Sequence, residues 1–314
     1  MNIFLLLVYG VVNLVFVVLV SPLFISLIKK VKARAQRRQG PPILQTYRNL
    51  VKLLKKETVY SENSSWIMRA TPLVNLAAIL TASLFVPLLV VPEPTDLIGN
   101  IILFLYLLAL AKFFMALAGL DAGSVFGGMG SSREMAILAL FEPVIIVVFA
   151  ALAFAYKTVN IPDIFRGALA SNVLVNPVMI LIAASIFIVI IVESARIPVD
   201  NPETHLELTM VHEAMILEQS GKNLAMLELS SAMKQTLLMG VLINTLIPWG
   251  LATDFSAPAI LFSLALFLVK AVVLAVAIGL FESSCAKYRL FRLPGLFAFA
   301  LFLSIITLII EVFA

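Results

Sequence analysis

Six carboxylates, Glu193, Asp200, Glu203, Glu207, Glu213 and Glu218, follow one another between Ile190 and Gly221, with Arg196 and His205 among them. The whole chain holds only 18 Asp and Glu, and this third of them comes directly after a long apolar run. Carboxylates at or near hydrocarbon depth are costly and mark routes for ions or protons. Crowded in a partly dry setting they repel, so some hold protons near neutral pH. The chemistry implied is charge movement. A helix starting near Pro202, capped by Asp200 or Asn201, would put Glu203, Glu207 and Glu218 within a sector about 60° wide, with His205 and Glu213 pointing elsewhere. Leu206, Leu208, Met210, Val211, Met215, Ile216 and Leu217 between them make that helix too apolar to lie free in water. Metal binding is a weak option: the only histidines, His205 and His212, are seven residues apart and no Glu-x-x-His spacing occurs.

Three further ionisable residues, Lys112, Glu142 and Lys270, fall inside apolar runs, as Glu193 does at the end of one. Each must face protein or water. For the lysines two readings stand, an ion pair with a glutamate inside the bundle or membership of an intramembrane relay. Glu142 lies too deep in its run for a short side chain to reach the interface, and Pro143 beside it predicts a local kink. Glu282 and Glu311 sit at run ends and are read as interfacial. The glycine-rich stretch from Asp121 to Glu134 lacks the Lys-Ser/Thr ending of a phosphate-binding loop and follows no strand, which excludes nucleotide binding. It reads as flexible backbone near a partner or a chamber mouth. Cys285 is the single cysteine; it excludes an internal disulfide and a cysteine-held iron–sulfur or zinc site, and reads as an inert small residue.

The elements that must position these groups are membrane helices. The chain is 62% hydrophobic and 13% charged, with a mean hydropathy of +1.08. A water-soluble interior cannot absorb that much apolar surface. A helix needs roughly 20 apolar residues to cross a bilayer, and eight runs qualify, at about 3–28, 70–91, 99–120, 134–156, 177–195, 230–252, 258–282 and 293–313. The fold class is therefore an all-α integral membrane protein, one transmembrane domain over 1–314. Pro22, Pro87, Pro143 and Pro248 fall inside these runs, which membrane helices tolerate. The first run lacks the flanks of a cleaved signal and reads as a retained span.

Half of the 22 Lys and Arg lie in the loop over 29–69. The loops after the second, fourth and sixth spans carry little beyond Lys157 and Arg166. That asymmetry places loops 29–69 and 196–229 in the cytoplasm and both termini outside, in a multi-pass protein of the cytoplasmic membrane. It also accounts for the net charge of +4 without nucleic acid. From Gly40-Pro41-Pro42 onward the loop reads as a turn and then an amphipathic helix, with Ile43, Leu50 and Leu54 at helical spacing and Lys52, Lys55 and Lys56 polar. It serves as an interfacial anchor in the bilayer, as a docking platform for a soluble partner through Gly40, Pro41, Gln45 and Lys52, or as both.

Three blocks give a family resemblance: Gly40 to Gln45 continuing to Lys52-Leu53-Leu54; Gly127 to Glu142 with Ser132 and Arg133; and Glu193-Ser194-Ala195-Arg196-Ile197-Pro198-Val199-Asp200-Asn201-Pro202-Glu203 continuing to Gly221. With eight spans, the chain resembles the complex I subunit 1 family, whose bacterial members are known as the H-type subunit. Its nearest likeness is to the membrane anchor of energy-converting group 4 NiFe hydrogenases and formate hydrogenlyases. The resemblance implies a non-catalytic subunit of a multi-subunit oxidoreductase that clamps a soluble electron-transfer arm to the membrane. It implies an acidic proton path of Glu142, Glu193, Glu203, Glu207, Glu213 and Glu218, an entrance shaped by Arg196 and Asp200, and Arg133 near the mouth. The partners implied are hydrogenase-like large and small subunits, an iron–sulfur subunit and antiporter-like membrane subunits. The cofactors implied, NiFe and iron–sulfur clusters, belong to those partners and none to this chain. Quinone-using relatives carry Ser-Tyr-Glu, Pro-Phe-Asp and Glu-Tyr where this chain has Leu140-Phe141-Glu142, Pro198-Val199-Asp200 and Glu218-Gln219. Those departures favour the hydrogenase branch over the alternative, a quinone-chamber subunit of a complex I-type NADH or ferredoxin:quinone oxidoreductase.

Overall fold

The computed structural model describes residues 3–91, 99–171, 176–201, 210–253 and 256–313. In chain order its helices are α1 (Ile3–Ala35), α2 (Gln45–Leu54), α3 (Trp66–Phe85), α4 (Ile101–Asp121), α5 (Val125–Tyr156), α6 (Ile161–Ala170), α7 (Pro177–Glu193), α8 (His212–Ile216), α9 (Gly221–Leu246), α10 (Ala257–Ser284) and α11 (Leu293–Phe313). Seven are long and apolar enough to cross a bilayer. The eighth span, α7, has 17 residues, about 26 Å at the α-helical rise, near the hydrocarbon thickness of ~30 Å. Among the described residues no strand forms; two isolated bridges, Val90 with Ala252 and Asn100 with Asn160, tie loops at one end.

Polar caps start these helices where the apolar runs begin. Ser65, Asn100, Ser124 and Asn176 each accept a hydrogen bond from a backbone N–H of the first turn. Within the bundle α9 is the axis. Every residue from Ala232 to Thr245 is buried, including Lys234, Gln235, Thr236 and Asn244. Helices α1, α3 and α7 pack on it, α10 closes against α1, and α11 against α5 and α7.

The prolines divide into two kinds. Pro22 and Pro143 lie within helices, whereas Pro87 and Pro248 follow the ends of α3 and α9 instead of interrupting spans, because the residue before proline avoids helical geometry. The chain from Val86 to Val91 is thus irregular yet buried. Side chains answer its backbone groups: Asn13 Nδ2 donates to Ser83 O and Val86 O at 2.7 and 3.0 Å, Leu88 N donates to Asn13 Oδ1 at 3.1 Å, and Asn244 Nδ2 donates to Pro87 O at 3.0 Å. Without water, irregular backbone persists only with such partners.

Three expected boundaries move. The glycine-rich stretch is no flexible loop, because α5 begins at Val125. Its glycines permit close packing: a Cβ on Gly130 would stand 2.8 Å from Ala214 Cβ and 2.9 Å from Val211 O. Helix α9 begins at Gly221 rather than near 230. In the acidic loop the described helix is only α8, since Val211, with φ −120° and ψ −78°, is not helical. A single helix running from Pro202 to Glu218 is therefore broken, and with it the shared face of Glu203, Glu207 and Glu218. The first two, like His205, lie outside the described residues. A second amphipathic helix, α6, occupies the loop after α5 and carries the pair Asp163–Arg166 at 2.8 Å.

Candidate functional site: buried ion pairs and three adjoining cavities

Glu193 ends α7 at the point where the apolar run turns acidic, and only 4% of its surface is exposed. Two cations from other spans answer it. Lys112 of α4 donates to Oε1 at 2.7 Å and Lys234 of α9 stands 3.5 Å from Oε2. The pairing expected for Lys112 is thus present. Lys234, which spacing alone leaves unnoticed within an apolar run, is its second partner. Such a cluster holds only when each charge is answered, because removing one partner leaves an uncompensated charge in low dielectric.

Cavities adjoin this triad on two sides. Between α4 and α5 an outward-facing groove of about 360 Å³ is lined by Ile102, Tyr106, Leu138, Ile146, Lys112, Glu142 and Glu193. Glu142 is on the outer, exposed side of α5. Toward the other side a small space of about 20 Å³, room for about one water, is lined by Asn75, Lys112, Glu134, His212, Ser230, Ser231 and Lys234. Its floor is fixed by Ser230 Oγ donating to Asn75 Oδ1 at 2.7 Å, while Asn75 Nδ2 donates to Ala111 O at 3.0 Å.

The third space, about 160 Å³, lies among α1, α2, α8, α9 and the turn after α7. Lys29, Asn49, Arg196, Asp200, His212, Glu213, Glu228 and Gln235 line it. Arg196 donates to Gln235 Oε1 at 2.9 Å and to Glu282 Oε1 at 3.1 Å, and Lys32 stands 3.6 Å from Glu282. Glu282 is 1% exposed, so it is a buried partner and not the interfacial residue its place at a span end suggests. Asp200 pairs with Lys287 at 2.6 Å and accepts from Val211 N at 3.2 Å and His212 N at 3.1 Å. It thereby fixes the first turn of α8. Arg133 holds the other flank, donating to Met210 O at 2.9 Å. Both residues shape the start of α8, beside the third cavity.

Enclosure changes the acid–base character of α8. Burial first, then the neighbouring Glu228 with a smaller push from Asp200, raises the Glu213 carboxyl to about 7; Lys29 opposes. Burial lowers the His212 imidazole below its ordinary value, with Lys234 and Lys112 adding to that and Glu134 and Asp200 opposing. One group is thus a carboxylic acid that exchanges protons near neutrality, and the other a base that is neutral there.

Of the path residues named from sequence, Glu142, Glu193 and Glu213 line these cavities. Glu218 is exposed just past α8 and lines none of the three, because the chain turns outward after Ile216. Lys270 does not join Lys112. Its ammonium donates to Ile247 O at 2.7 Å and to Trp249 O, where α9 has ended, and so answers carbonyls that a helix terminus leaves open. Residues that sequence passed over are Glu134, His212, Glu228 and Lys234. Only the apolar setting of Lys234 could have signalled its role.

The basic loop behaves as expected of an amphipathic helix. Leu50 of α2 is buried, while Leu44, Val51 and Leu54 are exposed beside Arg48, Lys52, Lys55 and Lys56. Gly40, at φ +70°, makes the preceding turn against Ala33, next to Pro41. Thr46 and Ser26 hydroxyls meet at 2.6 Å, Tyr47 donates to Leu19 O, and Gln45 donates to Asn49 at 3.0 Å. Helix α2 therefore lies along α1. Among the described residues no group of three or more His, Cys, Asp or Glu converges as a metal site.

A family model described as NADH dehydrogenase matches residues 8–312. Formate hydrogenlyase subunit 4 of Escherichia coli K12 is 32% identical over 308 residues, covering 95% of this chain and 98% of that one. Hydrogenase-4 component C of the same organism is 31% identical, covering 90% and 89%. The H-type subunit of the NADH-quinone oxidoreductase of Anaplasma phagocytophilum is 25% identical over 74% of each chain. A chain in the structure of the membrane-bound sulfane sulfur reductase, an archaeal respiratory membrane complex, matches with a TM-score of 0.83 over 98% of this chain and 99% of that one, at 20% identity. That match shows the shared fold.

Proposed function

The chain belongs to the NADH dehydrogenase family, and from that premise we propose that it is the membrane anchor and proton-coupling subunit of an energy-converting hydrogenase-type complex. The relatives that support this branch are the two Escherichia coli subunits, which match nearly end to end at 32% and 31% identity. The quinone-linked subunit matches at 25% over three quarters of its length.

One observation carries the coupling role: three adjoining spaces, the first an outward-facing groove between α4 and α5 and the other two within the bundle, string Glu142, Glu193, Lys112, Lys234, Glu213 and Glu228 together. A row of ionisable groups with room for water is a proton path. Glu203 and Glu207, path residues by the family resemblance, lie outside the described residues. The third cavity has Lys29, Arg196, Asp200, Glu213 and Glu228 in its lining, and these suit water and protons better than a hydrophobic quinone ring, which supports the hydrogenase branch. In this reading loops 29–69 and 196–229 face the cytoplasm and both termini lie outside. Gly40, Pro41, Gln45 and Lys52 meet the soluble arm of large, small and iron–sulfur subunits, which hold the NiFe and iron–sulfur clusters. Glu142, on the outer side of α5, meets antiporter-like membrane subunits. The test is Glu142→Gln in the natively assembled complex, reconstituted in vesicles. Ion pumping is lost while hydrogen evolution from an artificial donor continues. Pumping at the wild-type rate would take Glu142 off the path.

A further inference from the structure

The second and third cavities adjoin each other. The residues common to their walls are His212, Leu227 and Ser231. On one side of that wall lie Glu134, Lys112 and Lys234; on the other lie Glu213, Glu228, Asp200 and Lys29. Leu227 has no group that exchanges protons. Of the residues that face both spaces, the His212 imidazole and the Ser231 hydroxyl are the two that can hand a proton between the acidic loop and the Lys112–Glu193–Lys234 triad.

We propose that His212, assisted by Ser231, is the relay residue that passes protons between the acidic loop and the intramembrane ion triad. This rests on the coupling role proposed above and adds to it a link that the row of glutamates lacks. The geometry explains why the link stays in place. Asp200 accepts from the His212 backbone N–H at 3.1 Å and from Val211 N at 3.2 Å, while Arg133 grips Met210 O at 2.9 Å. Gly130 of α5 lets the α8 backbone approach, since any Cβ there would press on Ala214 and Val211. Helix α8 is thus clamped from the Asp200 turn and from α5, and the imidazole is presented to both cavities.

The chemistry balances without a further reactant. A ring nitrogen of neutral His212 takes a proton from the Glu213 side, directly or through water. The other ring nitrogen then releases its proton toward Glu134, and the imidazole is neutral again as the other tautomer. A ring flip or the Ser231 hydroxyl resets it. The groups facing the imidazole set its balance: Glu134 and Asp200 favour the cation, Lys234 and Lys112 disfavour it, and enclosure disfavours it further. The neutral form is the resting form.

The test uses the native complex in vesicles with a trapped pH dye, reading ion translocation and donor-driven hydrogen evolution side by side. A positioned acid–base side chain is worth on the order of 10²-fold or more in proton transfer. His212→Ala with Ser231→Ala is expected to slow coupled translocation by about that factor while uncoupled hydrogen evolution persists. Added imidazole should restore His212→Ala alone, with a pH dependence that follows the free base; a purely structural role gives no such rescue. Where His212→Ala fails to assemble, His212→Gln, which keeps a hydrogen-bonding side chain of similar reach, serves for the rate. Normal coupling in the double variant, beside lost coupling in Glu142→Gln, overturns the His212 link and leaves the path standing. Normal coupling in both overturns the path itself. Loss of coupling in His212→Ala that imidazole does not restore also overturns the relay, leaving His212 a packing residue.

Discussion

Glu193 answers two buried lysines at unequal distances, so removing each member of the triad has a different consequence. At an effective dielectric near 20, the gross attraction is about 6 kcal/mol for the 2.7 Å pair with Lys112 and about 5 kcal/mol for the 3.5 Å pair with Lys234. Desolvation opposes both, and loss of one partner of a buried pair costs about 3–5 kcal/mol. Glu193→Gln leaves two cations facing each other without an anion and is expected at or above the top of that range. Lys112→Met leaves Glu193 with its longer contact and is expected near the middle. Lys234→Met leaves the shorter pair intact and is expected to cost least. In the double variant Lys112→Met with Glu193→Gln, the cost should fall well short of the sum of the singles, because the two share one interaction. The assay is unfolding of the purified protein in a mixed-micelle denaturant titration, followed by loss of helical signal. A Lys234→Met variant as destabilised as Glu193→Gln, or an additive double, would refute the geometry behind this ranking.

Other consequences are simpler to check. Gly130→Val drives a side chain into Ala214 and the Val211 carbonyl and is expected to cost about 1–3 kcal/mol, whereas Gly128→Ala, with nothing within 4 Å, is expected to be neutral or stabilising in the same titration. Asp200→Asn loses the Lys287 ion pair and weakens the acceptor for Val211 and His212; hydrogen exchange should quicken in α8 and leave the middle of α9 protected. Glu213 has a carboxyl raised from its ordinary 4.5 to about 7. The folded state therefore binds the proton more tightly than the unfolded state, so stability from this group is full below about pH 4.5 and is lost as pH rises through about 7. Thermal scans between pH 5 and 8 should show Glu213→Gln with a flatter profile and a gain over wild type at the alkaline end.

Membrane spans were plain in the sequence because the bilayer imposes one length and one polarity on all of them. Their ends were less so. Pro87 and Pro248 look like tolerated interruptions until Asn13 and Asn244 are seen to serve the unwound backbone next to Pro87, partners no local pattern announces. The stretch around Gly127 and Gly130 has loop composition, yet those glycines are where α5 touches α4 and α8, so packing outweighed propensity. Among the charged groups, Glu193 was legible from depth alone, whereas Glu142, deep in its own run, stands on the exposed side of α5. Glu282 was not legible, since a place at a span end says nothing about which neighbour, here Arg196 and Lys32, comes to cover it. Lys234 lies inside the run read over 230–252 as well as inside α9, but nothing in its spacing says that it meets Glu193.

The far end of the basic loop is stitched to the start of α9. Val59 N donates to Ser220 Oγ at 2.8 Å, which donates in turn to Val59 O at 3.0 Å; Asn223 donates to the Tyr60 hydroxyl at 3.1 Å, and Gly221 leaves no room for a methyl against Glu57 O. Two stretches some 160 residues apart are in effect one mechanical unit, so a load applied to α2 reaches the turn between α8 and α9 without crossing the bilayer. Chimeras between relatives should exchange 40–60 and 210–223 as a single cassette, since a transplant of either half alone severs the strap.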